Sequence, residues 1–223
     1  MSYKDVKRGL PQRDTRVMAV INQKGGVGKS TTVINLSACL GESKKKVLVI
    51  DFDPQGNSTS GYGVEKEELE HDIYDVILHD YSIEDVIMET CENNVFIAPA
   101  TIQLATAEIE LVTAMARESV LKDAIANIRD EFDYILIDCP PSLGLLTINA
   151  LIAANSLLIP IQCEYYALEG VAKLLESMQM VKRRMNPELE IFGVLMTMFD
   201  SRTTLSKQVV DEVQNYFGKK MFK

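Results

Sequence analysis

The sequence predicts an α/β fold in which a mostly parallel, twisted sheet carries helices on both faces. Short apolar runs alternate with amphipathic helical stretches along nearly the whole chain, which is typical of strand–helix–strand units. The runs at 47–50 and 134–137 are continuously apolar, as expected for strands covered on both faces. Segments rich in glycine or carboxylates follow three of the strands, at the carboxyl ends where such sheets bind ligands.

The order of the elements follows from the spacing of the apolar residues. We expect strands at 17–21, 46–51, 95–98, 134–138, 157–161 and 191–197, where the apolar runs are short. Helices are expected at 29–42, 103–116, 119–130, 145–153, 168–184 and 203–217, where the spacing is helical. Residues 66–90 are acidic with helical spacing and are expected to form a surface excursion. A chain of 223 residues is long enough for one large core. We expect a flexible tail at 1–15 and a single domain at 16–223.

The composition is that of an ordinary globular protein with an uneven charge distribution. The formal net charge of −9 argues against a globally basic nucleic-acid binder. Residues 1–29 carry seven Lys or Arg and two acidic residues, and residues 173–223 carry nine against six, so a local basic patch remains possible. No apolar stretch suits a membrane span or a signal peptide, and we expect a cytoplasmic protein. The scattered cysteines, Cys39, Cys91, Cys139 and Cys163, are expected to be reduced residues in or near the core.

A glycine-rich segment at 22–31 predicts a nucleotide phosphate site. It reads Asn-Gln-Lys-Gly-Gly-Val-Gly-Lys-Ser-Thr and lies between an expected strand and an expected helix, so its amide groups and the helix N-terminus can hold an anion. Lys29 would reach the terminal phosphates, and the Ser30 hydroxyl would bind Mg²⁺. The strict phosphate-loop pattern fails at Gln23, and the second lysine, Lys24, makes this the deviant Walker A form. The fold is therefore expected to be a three-layer phosphate-loop NTPase fold; the alternative for the segment is a flexible surface turn. The cradle comprises Lys24, Gly25, Gly26, Val27, Gly28, Lys29, Ser30 and Thr31.

Three carboxylates follow other strands of the predicted sheet. Asp138 closes an apolar strand and suits a Walker B role in holding Mg²⁺; alternatively, it caps the next helix. Asp53 is the candidate for positioning or activating an attacking water, and Asp51 for supporting the metal, unless the pair belongs to a plain polar turn. Lys24 would repel Lys29 unless more negative charge is present, which suggests that it reaches the nucleotide of a partner subunit.

Five ordered segments, 22–31, 51–57, 99–105, 137–144 and 162–170, resemble the ParA (Soj-type) partition ATPases. The resemblance implies ATP and Mg²⁺ as ligands and a sandwich homodimer in which Lys24 crosses to the partner's phosphates. It implies nonspecific DNA binding on the nucleoid, no membrane, and slow hydrolysis stimulated by a ParB-type partner protein. Asp53 matches the family's catalytic aspartate, Lys29 its phosphate lysine and Ser30 its metal ligand. Glu164 lies in a segment near the dimer face, and Arg202 matches an arginine that contacts DNA, the alternative being a solvated loop arginine.

The chain departs from the family pattern at its end. Family members usually continue beyond the position of Lys223 with a strand, an adenine-holding loop and a last helix, so we expect a C-terminally truncated domain. Three other interpretations stay open at this stage. They are a MinD-like membrane-cycling ATPase, a reductase resembling the nitrogenase iron protein, and a catalytically silent interaction module.

Overall fold

The computed structural model describes residues 14–165, 167 and 169–222, which form a seven-stranded sheet. The strand order is β3-β4-β2-β5-β1-β6-β7. All neighbouring pairs are parallel except β3 and β4, which are antiparallel. The strands are β1 Arg16–Val20, β2 Val47–Asp51, β3 Met88–Glu89, β4 Val95–Ala98, β5 Tyr134–Asp138, β6 Ser156–Gln162 and β7 Glu190–Thr197.

Helices cover both faces of this sheet, as expected for a three-layer fold. Side chains of β1 alternate between the two cores: Val17 and Ala19 pack into one, whereas Met18 and Val20 pack into the other. The helices are α1 Lys29–Glu42, α2 Asn57–Gly61, α3 Ile73–Leu78, α4 Ile83–Val86, α5 Leu104–Glu110, α6 Val120–Ile125, α7 Leu145–Ala153, α8 Glu169–Arg184 and α9 Thr204–Phe217. Single 3₁₀ turns lie at Lys66–Glu68, Leu111–Thr113, Arg129–Glu131 and Gly218–Lys220.

The predicted strands and the longer helices are confirmed to within one residue at each end. The expected helices at 103–116 and 119–130 are shorter than predicted. Helix α5 passes into a 3₁₀ turn after Glu110, and Ala116 has a φ of 52°, a left-handed value that no α-helix accommodates. Strand β3 was not predicted, because a strand of two residues is too short to show an alternation of apolar and polar side chains.

The segment 66–90 is part of the core and not only a surface excursion, so that prediction was wrong. Its helices α3 and α4 bury Ile73, Val76 and Ile83 in the core. Asp72 begins α3 with a capping box shared with Asp75.

The expectation for the cysteines holds for Cys139 and Cys163, which are buried, but Cys39 and Cys91 are exposed. Cys39 lies on α1 away from its buried residues Val33, Ser37 and Gly41, which recur every four positions.

Both ends of the described chain are attached to the sheet. Of the predicted tail, residues 1–13 lie outside the described residues. Thr15 is buried, and its hydroxyl lies 2.7 Å from the carbonyl oxygens of both Arg129 and Phe132. At the other end, Met221 forms a parallel bridge with Val194 of β7. Across the described ranges, the structure contains no helix with the length and apolar character needed to cross a bilayer.

Candidate functional site

The carboxyl ends of three central strands bring the predicted loops together. In the sheet register, Val20 of β1 lies opposite Asp138 of β5, and Asp51 of β2 lies opposite the same residue from the other side. The glycine-rich loop after β1, the Asp51–Asp53 turn after β2 and the loop after β5 therefore share one edge of the sheet. This is the arrangement that the sequence predicts for a ligand site.

The glycine-rich loop is held in place by neighbouring strands. The Asn22 side chain donates to the carbonyl of Pro160 at 2.7 Å and accepts from the Lys24 amide at 3.1 Å. The Thr197 hydroxyl at the end of β7 donates to the Val27 carbonyl at 2.8 Å. Gly28 precedes α1 with a φ of 89°, a left-handed backbone conformation that favours glycine.

Helix α1 presents an uncapped N-terminus to a cavity of about 420 Å³. At Gly28 no side chain supplies the usual cap, so the first amide groups of the helix remain available to an anion. The cavity is lined by Gly25, Gly26, Gly28, Lys29, Ser30, Thr31, Asp53, Gln55, Asn57, Pro141 and Met198. Most of the predicted cradle therefore lines one cavity together with Asp53.

Lys29 places a buried cation at this cavity. The side chain is 7% exposed, and its ammonium group lies 3.3 Å from the carbonyl oxygen of Lys24. Burial lowers the pKa of Lys29, while the negative charges of Asp138 and Asp53 act in the opposite direction. A buried ammonium group with one long hydrogen bond favours an incoming anion.

Asp138 stays the candidate magnesium ligand of the site. Its Oδ2 accepts a hydrogen bond from the Ser58 hydroxyl at 2.7 Å, whereas its buried Oδ1 has no hydrogen-bond partner among the described residues. Burial raises the pKa of Asp138 to about 6, although the hydroxyls of Ser30 and Ser58 lower it. An unpaired carboxylate oxygen beside a serine hydroxyl fits Mg²⁺, which takes few protein oxygens and completes its shell with phosphates and water. The alternative of a helix cap does not apply, because α7 begins after Gly144 without a side-chain cap.

Asp51 and Asp53 differ in their surroundings. The Asp51 carboxylate is fully buried, and its Oδ2 accepts from both the amide and the hydroxyl of Thr59 at 2.7 Å. Burial, followed by the charge of Asp138, raises the pKa of Asp51 to about 7. Asp53 lines the cavity and accepts from the Gln55 amide at 3.0 Å. The metal role of Asp51 stays a prediction, and its hydrogen bonds indicate that it acts by fixing the turn that carries Asp53.

The candidate residues that do not line this cavity are Val27, Asp51, Asp138, Lys24 and Arg202, and the last two are cations. Lys24 is half-exposed and forms an ion pair with Glu164 of its own chain. The Arg202 guanidinium is exposed and makes a fork of hydrogen bonds to Asp200, the shortest of 2.8 Å. Each of these cations already has a carboxylate partner within the chain.

Sequence reasoning missed several residues that shape the site. Ser58 and Thr59 follow the polar turn on the short helix α2, which has no readable period, and they bond to Asp138 and Asp51. Thr197 and Met198 could have been found from their position at the end of a predicted strand. They also line a second, apolar cavity of about 600 Å³ that adjoins the first through Gly28 and Thr31.

The fold and the site together define a phosphate-loop protein of the α/β class. Residues 15–191 match a family model described as an AAA domain. The sporulation initiation inhibitor protein Soj of Bacillus subtilis is 53% identical over 208 residues, which is 93% of this chain and 82% of that protein. The chromosome partitioning protein ParA of Myxococcus xanthus is 49% identical, with 93% of this chain and 73% of that protein covered. The chain belongs to the ParA/Soj family of partitioning ATPases.

A solved structure supports the same architecture. It is described as a cobyrinic acid a,c-diamide synthase from Mycobacterium smegmatis with bound ATP analog and magnesium. Its TM-score is 0.87 at 42% sequence identity, covering 92% of this chain and 83% of that one.

The bonds of Thr59 give a prediction for stability. Replacing Thr59→Val removes the hydroxyl that donates to buried Asp51 and accepts from the Ala100 amide at 2.9 Å. We expect the free energy of unfolding to fall by about 1–3 kcal/mol, because buried polar groups lose partners. Urea denaturation measures the change, with Thr59→Ser, which keeps the hydroxyl, as the matched control. Equal stability of the two variants would show that the hydroxyl does not hold Asp51.

Proposed function

We propose that this protein is an ATP-dependent DNA-segregation ATPase. The observation that carries the proposal is the cavity at the N-terminus of α1, where the buried Lys29 meets Asp53, close to the unpaired oxygen of Asp138. A positive helix end and a buried ammonium group match a polyphosphate, and the carboxylate matches the metal that accompanies it. The membership of a family of partitioning ATPases supports chromosome or plasmid segregation as the process.

The ligand that we propose is ATP with Mg²⁺. The amides from Gly25 to Thr31 and the ammonium group of Lys29 would hold the phosphates, while Ser30 and Asp138 would hold the metal. The structural relative contains an ATP analog and magnesium, which supports this choice. The adjoining apolar cavity beside Met198 gives the nucleoside a place next to the phosphates. When bound, Mg²⁺ supplies positive charge at the phosphate oxygens.

Hydrolysis would depend on the turn after β2. Asp53 is the carboxylate that lines the cavity, so it is the residue that we assign to orienting the attacking water. Asp51 and Thr59 hold that turn against the sheet, and Asp53 keeps its own bond to the Gln55 amide. We propose slow turnover, in which hydrolysis ends a nucleotide-bound state instead of supplying product.

Dimerisation would use Lys24. In the single chain, Lys24 is paired with the carboxylate of Glu164. This negative charge compensates the repulsion that Lys29 would otherwise exert on Lys24. A partner's triphosphate offers Lys24 more negative charge than one carboxylate, so nucleotide would draw it across a two-fold interface. The dimer would then bind DNA without sequence preference, with Arg202 as a phosphate contact, and a ParB-type protein would stimulate hydrolysis.

The name of the structural relative does not extend to this chain. The more identical curated relatives are partitioning proteins, at 53% and 49% identity against 42% for the synthase. The interpretations as a MinD-like ATPase, an iron-protein-like reductase or a silent module have no specific observation in their favour.

Nucleotide binding tests the proposal first. We expect Lys29→Ala to weaken the binding of ATP with Mg²⁺ by roughly 100-fold, because the buried cation makes strong bonds to phosphate oxygens. Isothermal titration calorimetry measures the affinity, and Lys45→Ala, at an exposed lysine just after the same helix, should bind as the wild type does. Failure of the wild-type chain to bind ATP would contradict the proposed function.

The crossing role of Lys24 has its own test. We expect Asp53→Ala, which blocks hydrolysis, to form a stable dimer with ATP and Mg²⁺, and Asp53→Ala with Lys24→Ala to remain monomeric. Size-exclusion chromatography with light scattering distinguishes the two masses. Asp53→Ala with Lys45→Ala serves as the charge-matched control and should dimerise. A dimer in the Lys24 double variant would exclude a role for this lysine at the interface.

Binding to DNA tests the role of Arg202. We expect Arg202→Ala to weaken binding alike for all sequences and to reduce the salt slope by about one, because one phosphate contact is lost. Asp200→Ala should strengthen binding, since it releases the guanidinium from its fork of hydrogen bonds. Fluorescence anisotropy at several salt concentrations measures both effects. The control is Arg117→Ala, at an arginine paired with Glu118. If this variant loses as much DNA affinity as Arg202→Ala, Arg202 is not a specific phosphate contact.

A further inference from the structure

The turn that carries Asp53 is closed by its own backbone. The Gly56 amide donates to the Asp53 carbonyl at 2.8 Å, and the Gln55 amide donates to the Asp53 carboxylate at 3.0 Å. Gly56 has a φ of 60°, a left-handed conformation that favours glycine. The direction of the Asp53 side chain therefore depends on how the peptide units between residues 53 and 56 are oriented.

Lys66 reaches this turn from a later part of the chain. It begins the 3₁₀ turn Lys66–Glu68, and its ammonium group donates to the Gln55 carbonyl at 2.7 Å. Its aliphatic stem lies against Gly56, where an added Cβ atom would be 2.6 Å from Cε and 2.7 Å from Nζ of the lysine. Glycine at position 56 thus accommodates both the left-handed backbone and the lysine side chain that crosses it.

The hydrogen bond from Lys66 acts on the peptide unit that closes the turn. The Gln55 carbonyl and the Gly56 amide are the two ends of one peptide unit, so Lys66 binds one end while the other end bonds to Asp53. A charged donor makes a stronger hydrogen bond than a neutral one, and hydrogen bonds in series strengthen each other. Because Gly56 tolerates both signs of φ, a flip of this unit meets little steric resistance, and the bond from Lys66 selects one orientation.

Lys66 has no competing partner in the part of the chain that the structure describes. Its ammonium group lines a third cavity, of about 470 Å³, together with Glu67, Glu70 and Asp72. None of the described carboxylates forms an ion pair with it. Its described hydrogen bond is the one to the Gln55 carbonyl, so the turn is where the lysine acts.

The position of Lys66 separates it from the phosphates. Gln55 lines both the third cavity and the phosphate cavity, whereas Lys66 lines only the third. A change at Lys66 is therefore transmitted through the turn and not through a contact with the ligand.

We propose that Lys66 is a positioning residue for ATP hydrolysis. It holds the Gln55–Gly56 peptide unit in the orientation that keeps the Asp53 carboxylate at the phosphate cavity. The effect on hydrolysis rests on the proposed function, in which Asp53 orients the attacking water. The effect on the turn does not.

The effect on the turn is measured first, in the absence of nucleotide. Lys66→Met keeps a long stem beside Gly56 and removes the N–H donors of the ammonium group. We expect hydrogen exchange of the Gly56 amide, followed by NMR, to become at least about tenfold faster, because the turn opens more often. The matched control is Lys45→Met, at an exposed lysine just after α1, which should exchange as the wild type does.

The effect on hydrolysis is measured in single turnovers, so that binding and chemistry are separated. We expect Lys66→Met to hydrolyse bound ATP about tenfold more slowly, because Asp53 is less often in place. The affinity for ATP with Mg²⁺, measured by calorimetry, should change by less than about twofold, because the lysine does not line the phosphate cavity. A residue that only supports the fold of the site would lower both quantities.

Chemical rescue isolates the hydrogen bond from the charge. Lys66→Ala leaves space beside the Gln55 carbonyl that opens into the third cavity. We expect ethylammonium ions to raise the hydrolysis rate of this variant at least about threefold, because they can donate to that carbonyl. Tetramethylammonium ions carry the same charge without an N–H group and should have no such effect.

Four results would overturn the proposal. They are an unchanged Gly56 exchange rate in Lys66→Met, an unchanged hydrolysis rate, a loss of ATP affinity as large as the loss of rate, and equal rescue by tetramethylammonium. Failure of the proposed function has a different signature, because the wild-type chain would then not hydrolyse ATP. In that case the exchange rate of the Gly56 amide still decides whether Lys66 holds the turn.

Discussion

The buried charges at the carboxyl edge of the sheet are the constraint on which the site depends. Lys29 and Asp138 lie out of water, and the Oδ1 atom of Asp138 has no hydrogen-bond partner in the part of the chain that the structure describes. Such groups are costly to bury, and one unpaired buried carboxylate oxygen is tolerated where a ligand completes its surroundings. The parallel register sets Asp138 between Val20 and Asp51 and so brings the buried carboxylates together. The resulting charges at this edge are ones that a phosphate and a metal ion can compensate.

The distribution of charge over the rest of the chain separates its surfaces. Residues 65–123, which include the outer helices α3 to α5 and the start of α6, are strongly acidic, whereas residues 173–223 carry more basic than acidic residues. Gln55 of the phosphate cavity also lines a neighbouring cavity with Glu67 and Asp72 of the acidic region, whereas Thr197 and Met198 of the second region line the adjoining apolar cavity. The two sides of the site therefore differ in charge, one being strongly acidic and the other more basic.

Sequence reasoning recovered most of the sheet because parallel strands buried on both faces are continuous apolar runs. It also placed the glycine-rich loop, Lys29, Asp53 and Asp138 at one edge of the sheet, because each follows or adjoins a strand end, and the structure has them there; their roles stay predictions. It indicated helical spacing over 66–90 without resolving α3 and α4, and it missed α2, because helices of four to six residues are too short for their bounds to be read. The pairing of Asp51 with Thr59, of Lys24 with Glu164 and of Arg202 with Asp200 also escaped it. Which side chains pair with each other on the surface or in turns depends on distances in the folded structure. The spacing of residues along the sequence does not give these distances.

The bond between Thr197 and Val27 links residues 170 positions apart. Loop closure over such a separation costs entropy, so this contact depends on the sheet that holds both residues in place. While β7 of a nascent chain is still inside the ribosome, the Thr197 hydroxyl cannot bond to the glycine-rich loop. Ligand affinity would thus depend on the docking of β7, and a bound ligand would stabilise the state in which β7 is docked.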